Sequence, residues 1–357
     1  MPSKQEQEPA SEEITEVAPG VVRMQLPIAF TGLGHVNCYA LEDDRGFAVV
    51  DPGLPGQDAW DGLLDRLGRA GIPLTRIHTV VVTHSHPDHF GGAARLRAET
   101  GADILTHSSF KLWWELDDRP SDALDDPDRW SRPTPWGTKF EPPAGGAMTE
   151  MRDEMRSGVH TPRPTVRVKD SEVVSLAGRD WVAMHTPGHT PDHLCLFDPT
   201  FGVVLSGDHV LPTITPHIGA MDGMADDPLA EFFDALDRMA ALQDVTIALP
   251  AHGHPFHDLA ERANEIKEHH NERLQRLRDA SAELGRPGTV HELMQRLFSE
   301  RAWGSMAESE TYAHLEHLRL NHEATSSWSD GLEQFQIVSS SARPAEPEPP
   351  AAVQGRR

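Results

Sequence analysis

A chain of 357 residues with 32 Lys+Arg against 56 Asp+Glu carries a formal charge of -24, and 38% apolar residues suffice for a globular core with polar, proline-rich ends. So acidic a surface repels phosphate backbones and anionic membranes, which excludes a nucleic-acid binder that lacks a local basic patch. The two cysteines, Cys38 and Cys195, stand far apart with no C-x-x-C spacing, which excludes a disulfide framework and a thiolate metal site and leaves both as small buried apolar side chains.

Residues 1-14 are polar and non-periodic, and disorder is expected there, as it is in the Pro/Glu-rich tail 339-357. The start has no apolar leader core, and no apolar run approaches the ~18 residues that cross a bilayer, so a reduced, cytoplasmic setting and no membrane partner are expected. From residue 15 the apolar pattern begins. "GVVRMQLP", "VNCYALED" and "GFAVVDPG" read as three successive strands, and Trp60, Leu63, Leu64 and Leu67 then recur at helical spacing over residues 57-70. "IHTVVVTH" is a buried strand, "GGAARLRAET" a helix and "ADILTH" another strand. After an interruption come the strands "DWVAMHTPG", "HLCLFDP" and "GVVLSGD", the helix "DPLAEFFDALDRMAAL" and the strand "VTIALPAHG". Strands alternating with helices predict a layered sheet covered by helices on its outer faces, and the hairpin-like opening argues against a purely parallel sheet.

The interruption, residues 112-163, is rich in Trp, Pro and Asp and includes Trp113, Trp114, Trp130 and Trp136. A loop so long with so much tryptophan is read as a cap over the pocket. From Asp258 the pattern becomes helical, with Leu259, Ala263, Ile266, His270, Leu274, Leu277 and Leu284 at three- and four-residue steps until Gly285. "TVHE" is a capping box opening a second helix, "ETYAHLEHLRL" marks a third, and the Asp-Gly pair in "SSWSDGLEQFQIV" turns a hairpin. Helices followed by a hairpin predict a small winged-helix-like domain over residues 258-338. Such a module serves nucleic acid, packing or a homodimer.

The chemistry concentrates in "THSHPDHFGG". His84 and His86, two apart in extended chain, point one way, while Asp88 and His89 project beyond the Pro87 turn. Imidazole and carboxylate in this pattern suit borderline divalent cations, zinc first with iron or manganese as alternatives, and two pairs facing different ways point to two ions. Further ligand types follow apolar strands downstream: His189 in "HTPGHTPDH", Asp208 in "VVLSGDH" and His252 in "IALPAHGH". Loops at one edge of a sheet converge, so this recurrence gathers a site.

H-x-H-x-D-H, then "GHT", "SGDH" and "LPAHG", with "VVDPG" upstream, resembles the metallo-β-lactamase superfamily over about residues 17 to 257. The resemblance implies a four-layer αββα sandwich for the catalytic domain, residues 15-257. It implies that His84, His86 and His189 hold one ion and Asp88, His89 and His252 the other, with Asp208 bridging. It also implies hydrolysis by a metal-bridging hydroxide that Asp88 or Asp208 orients. "SGDHVLPTITPHIG" with the C-terminal module resembles the subgroup whose vertebrate relatives are endoribonucleases and whose bacterial members are hydrolases.

Asp51 of "VVDPG" is read equally as a ligand-orienting group and as a turn former, and His193 equally as a neighbour of the site and as packing. His185 flanks His189 with His193, and His209 and His217, which follow Asp208, are read as ordinary partly buried histidines in preference to pocket-lining ones. His254 and His257 yield to His252 on motif position, and His269, His270, His314 and His317 are helix-face residues without function. The expected reaction is cleavage of an ester, thioester or lactone of a small organic substrate. The alternatives are a phosphodiesterase using Arg273, Arg276, Arg278 and Arg286 as a basic cluster, and a mononuclear iron dioxygenase. Net charge and the acidic, Trp-rich cap disfavour nucleic acid.

Overall fold

In a computed structural model of the chain, residues 4–30, 32–112, 134–138, 161–220 and 225–338 are described. Most of the expected cap, including Trp113, Trp114 and Trp130, and the tail from residue 339 lie outside them.

The chain opens with β1 (Thr15–Ala18), β2 (Val21–Phe30), β3 (Leu33–Asp43) and β4 (Gly46–Val50), then α1 (Gln57–Arg69), β5 (Ile77–Val81), α2 (Pro87–Phe90), α3 (Ala93–Thr100) and β6 (Asp103–His107). With β7 (Val166–Val168) these strands form a seven-stranded sheet in sequence order, antiparallel through β4 and parallel from β4 to β7. The parallel half is where helices intervene, as a crossover connection requires. A second sheet is built from β8 (Val173–Leu176), β9 (Arg179–His185), β10 (Leu194–Asp198), β11 (Val203–Gly207) and, after α4 (Pro228–Ala240), β12 (Ile247–Pro250). Its order is β12-β11-β10-β9-β8, with β12 parallel to β11.

Side chains alternate across each strand, and that period of two builds the layers. In β3, Tyr39 and Leu41 point into a cluster with Trp181, Leu194, Leu196 and Leu205 of the second sheet. Cys38 and Ala40 point the other way, onto Trp60, Leu63 and Leu67 of α1 and Leu96 of α3. In β10, Leu194 and Leu196 face the first sheet while Cys195 joins Phe232 and Leu236 of α4. Two sheets therefore face each other with helices outside both, the expected αββα order. Both cysteines are free and buried, as read.

Beyond β12 come α5 (Leu259–Leu284), β13 (Gly288–Thr289), α6 (Val290–Leu297), α7 (Ser305–Leu320), β14 (Ala324–Ser329) and β15 (Leu332–Ile337), with β13, β15 and β14 forming a small sheet. Gly285, at φ +63, closes α5 in the left-handed conformation that glycine adopts cheaply. The Thr289–Glu292 capping box is present in both directions, and Asp330 and Gly331, both with positive φ, turn the hairpin. The three- and four-residue apolar spacing of α5 resolves into packing: Ile266, Leu274, Leu293, Leu315 and Phe335 share one apolar cluster with Phe232 and Val204. The C-terminal elements thus continue the core over the outer face of the second sheet. No described helix is long and apolar enough to cross a membrane.

One expectation is corrected and another refined. The segment from Lys4 is anchored at one point: Gln5–Gln7 form one 3-10 turn, and Glu6, fully buried, accepts from the Thr213 and Ile214 amides at 2.7 and 3.1 Å. Composition predicts disorder there because the stretch is held by polar bonds to a distant loop. His270 and His314, read as helix-face residues without function, lie on buried faces and are joined Nδ1 to Nε2 at 3.0 Å.

Candidate metal centre

The seven residues singled out come from separate segments, and the fold brings all of them together. β5 ends at Val81, and the turn that follows carries His84 and His86 into α2, which presents Asp88 and His89. The loop after β9 carries His189. Asp208 follows β11 and His252 follows β12. Parallel pairing of β11 with β12 places the last two side by side. Gly188 is needed where the loop turns: its φ is +127, and a Cβ there would lie 2.4 Å from that of Phe232.

Two groups of donor atoms result, His84, His86, His189 and Asp208 in one and Asp88, His89 and His252 in the other, with the atoms of each group within 4.8 Å of one another. His86 Nδ1 lies 3.0 Å from His84 Nε2 and 3.1 Å from His189 Nε2. Asp208 belongs to both sets: Oδ2 is 3.5 Å from His189 Nε2 and 3.6 Å from His89 Nε2, and Oδ1 is 3.3 Å from His252 Nε2. Asp88 Oδ2 is 3.5 Å from both His89 Nε2 and His252 Nε2.

Hydrogen bonds behind the rings decide which nitrogen faces inward. His189 Nδ1 has the His217 carbonyl at 2.8 Å, and His252 Nδ1 has the His35 carbonyl at 2.6 Å. A carbonyl only accepts, so each Nδ1 carries the proton and each Nε2 turns a lone pair to the centre. His89 Nδ1 donates to Asp51 Oδ2 at 2.9 Å. Thr83 gives its hydroxyl proton to Asp51 at 2.7 Å, which leaves its oxygen to accept from His84 Nδ1 at 3.0 Å. Asp51 therefore does both things the sequence left open: at φ +51 it makes the turn after β4, and it orients two of the rings. His193 is also part of this scaffold, its Nε2 accepting from the Asp208 amide at 3.0 Å while Nδ1 donates to Thr186. His185 is packing, stacked on His107 at 3.9 Å. His254 and His257 bond Glu8 and the Thr246 carbonyl, away from the donor groups, whereas His252 lies among them.

His35 lies outside the motifs, and His217 falls within "SGDHVLPTITPHIG" without its role being marked there. They act through backbone carbonyls, and no side-chain pattern signals such a role. A weak signal for His35 is Asn37 beside it, whose amide group clamps the Pro250 and Gly253 carbonyls and so holds the His252 loop against β3.

The electrostatics match a cation site. Burial first, and then the neighbouring imidazoles, pushes His84 well below its ordinary range and holds His86 down to about 3, so both rings are neutral donors. Burial opposes ionising Asp88 and Asp208, but the imidazoles beside them reverse it, keeping Asp88 down to about 2 and Asp208 well below the usual range. Burial likewise opposes charge on His89 and His252, yet the facing carboxylates raise both. The centre thus demands positive charge. Asp208 Oδ1, His89 Nε2 and His252 Nε2 are buried without a hydrogen-bond partner, which is costly for a polar atom unless something else coordinates it. The donor set, imidazole nitrogen and carboxylate oxygen with no thiolate, fits divalent zinc, iron or manganese.

The family model of the metallo-beta-lactamase superfamily matches residues 31–252. A probable metallo-hydrolase of Bacillus subtilis (strain 168) is 24% identical over 89% of this chain and 98% of its own length. A hydroxyacylglutathione hydrolase of Albidiferax ferrireducens is 25% identical over 62% of this chain, a match that spans 63% of that protein. Among solved structures, a metallo-beta-lactamase family protein from Thermus thermophilus superposes with a TM-score of 0.75 at 28% identity, covering 90% of this chain and 100% of that one. A beta-lactamase domain protein from Burkholderia ambifaria gives 0.75 at 26% identity, covering 92% and 96%. With more than half its length matched and the donor groups gathered at the sheet edges, the chain belongs to the metallo-beta-lactamase superfamily of metallo-hydrolases.

Proposed function

We propose that the chain hydrolyses a thioester or ester of a small organic substrate at a centre of two divalent ions, zinc in the first place. The observation that carries this reading is the shared carboxylate: Asp208 lies within reach of His84, His189, His89 and His252. On this reading His84, His86 and His189 would hold one ion and Asp88, His89 and His252 the other, with Asp208 available to both. Such ions, when bound, acidify water and polarise a carbonyl oxygen. The chain's own residues position the reaction. Asp88, kept ionised, offers Oδ2 inward as the acceptor that orients the attacking water, and Asp51, His35 and His217 keep the imidazole lone pairs aimed.

Likeness to hydroxyacylglutathione hydrolases, whose substrates by name are thioesters, favours that bond class. The basic cluster weakens the phosphodiesterase alternative because its members are already paired. Arg273 meets Glu310, Arg278 meets Glu323 at 2.9 Å and Arg286 meets Glu292 at 2.6 Å. We read the C-terminal elements as a winged-helix-like module that packs against the catalytic layers and leaves no free basic face for nucleic acid among the described residues. A complete second donor group, Asp88, His89 and His252, argues against a mononuclear iron dioxygenase.

The test is elemental analysis followed by parallel assays on S-acyl glutathione thioesters, lactones, phosphodiesters and single-stranded RNA. Two divalent ions per chain and thioester or ester turnover that chelation abolishes are expected. Fewer than one ion per chain, or cleavage of RNA alone, overturns the reading.

A further inference from the structure

The loop that follows Asp208, residues 211-220, is braced from three directions. Arg262 at the start of α5 donates to the Leu211 carbonyl at 2.7 Å and the Ile214 carbonyl at 2.8 Å. The buried carboxylate of Glu6 takes the Thr213 and Ile214 amides and the Thr213 hydroxyl. On α7, the Ser309 hydroxyl donates to the Ala220 carbonyl at 3.1 Å, and Glu310 faces the His217 ring with Oε2 3.5 Å from Nδ1. Arg273 of α5 grips the other oxygen of Glu310 from behind. Packing at this point is close: a Cβ on Gly219 would fall 2.5 Å from His217 Nε2 and 2.7 Å from Ser309 Oγ. The loop therefore has little room to shift. Its contact with the metal centre is the His217 carbonyl, which holds His189 Nδ1 at 2.8 Å.

We propose that the C-terminal helices are a positioning element of the metal centre: Arg273 fixes Glu310, Glu310 fixes the His217 ring, and the carbonyl of His217 aims His189. Groups behind a metal-bound imidazole set its orientation and basicity, and disturbing them weakens metal binding by about 10- to 100-fold. Here the partner is a backbone carbonyl on a loop that its own strand does not secure. The brace is supplied instead by Glu6 and by α5 and α7, all far along the chain from the loop they hold. His270, Glu310 and His314 also bring donor atoms within 4.8 Å of one another. Arg273 is already paired with Glu310 and His270 Nδ1 is bonded to His314 Nε2, while His270 Nε2 is buried without a hydrogen-bond partner, so the ion count decides whether this cluster takes a cation.

The inference rests on the two-ion reading above, and the experiment separates the two. Full-length chain is stripped of metal and titrated with Co(II), following visible absorption and competition with a chelator. Wild-type protein that takes up fewer than two ions sinks the reading of the centre itself. Given two, His217→Ala, which removes the ring that Glu310 faces and leaves the carbonyl of residue 217 in place, and Glu310→Gln are each expected to weaken one of the two affinities by about tenfold and to alter the absorption band, with the other affinity unchanged. Arg278→Gln, which breaks the ion pair between α5 and Glu323 in the turn after α7, away from the loop, is expected to lower the melting temperature and leave both affinities alone. The inference is overturned if His217→Ala and Glu310→Gln bind both ions within twofold of wild type, or if Arg278→Gln weakens them equally. It is also overturned if wild type takes up three ions and Glu310→Gln two, which would make the His270 cluster a cation site.

Discussion

Asp51→Asn isolates the orienting role of a residue that touches no ion. Asn tolerates the left-handed backbone that Asp51 adopts at φ +51, so the turn after β4 survives. The bond from the Thr83 amide to Oδ1 at 2.9 Å can also be kept. What cannot be kept is Oδ2, which accepts from both His89 Nδ1 and Thr83 Oγ1. An amide nitrogen in its place sets donor against donor. Each lost bond to a charged acceptor is worth about 1.5–3 kcal/mol. Relief requires His89 to change tautomer, withdrawing its inward lone pair, or Thr83 to turn its hydroxyl against His84. If one bond's worth passes to the ions, the loss in affinity is about 10- to 150-fold, since about 1.4 kcal/mol is a factor of ten. Chelator competition on the purified variant measures it, with circular dichroism to show that the fold persists. Affinity within twofold of wild type in a folded variant would refute the claim that the hydrogen bonds behind the rings maintain the centre.

Three further outcomes are expected. Asp208→Ala should retain less than two ions per chain and lose turnover by about a thousandfold or more while secondary structure is kept; activity within tenfold of wild type would remove the bridging role. Gly188→Ala forces a Cβ into Phe232 at a φ that favours glycine, and a loss of about 2–4 kcal/mol in urea unfolding is expected, with none contradicting the packing around His189. Thr289→Ala removes the hydroxyl that accepts from the Glu292 amide at 3.2 Å, for a loss of about 1 kcal/mol at unchanged metal content; a change in metal content instead would show that α6 is coupled to the centre.

The layers are legible in the sequence because burial writes itself into the strands. Tyr39 and Leu41 alternate with Cys38 and Ala40, and one residue of slip would exchange the two cores. The donor residues are legible because each must be His or Asp and each follows an apolar strand. The groups behind them are only half legible. Asp51, Thr83 and His193 use side chains and leave a trace near the motifs, whereas His35 and His217 contribute carbonyls that any residue could supply. Glu6 misleads for a related reason: its polarity signals exposure, and only contacts 207 positions away reveal the buried amides it satisfies. His270 and His314 fall on the inner faces of α5 and α7, and helical spacing alone does not say whether a histidine on that face meets an apolar or a polar neighbour.

The need for ions follows from charge alone. Asp51, Asp88 and Asp208 are three carboxylates, none more than 6% exposed, in a space walled by neutral-tending imidazoles. A buried charge left uncompensated costs several kcal/mol even after relaxation. Without cations, protons on His89 and His252 offset part of that charge, and the facing carboxylates raise both against the opposing effect of burial. Two divalent ions offer four positive charges to the same carboxylates and release those protons, so ion binding and proton release are coupled at this centre. Stripping the ions should therefore lower the melting temperature, and by more than breaking any single surface ion pair, whose worth is about 0–1 kcal/mol. An apo protein that melts with the holo protein would mean that the imidazoles and carboxylates satisfy one another, and the argument from buried charge would fail.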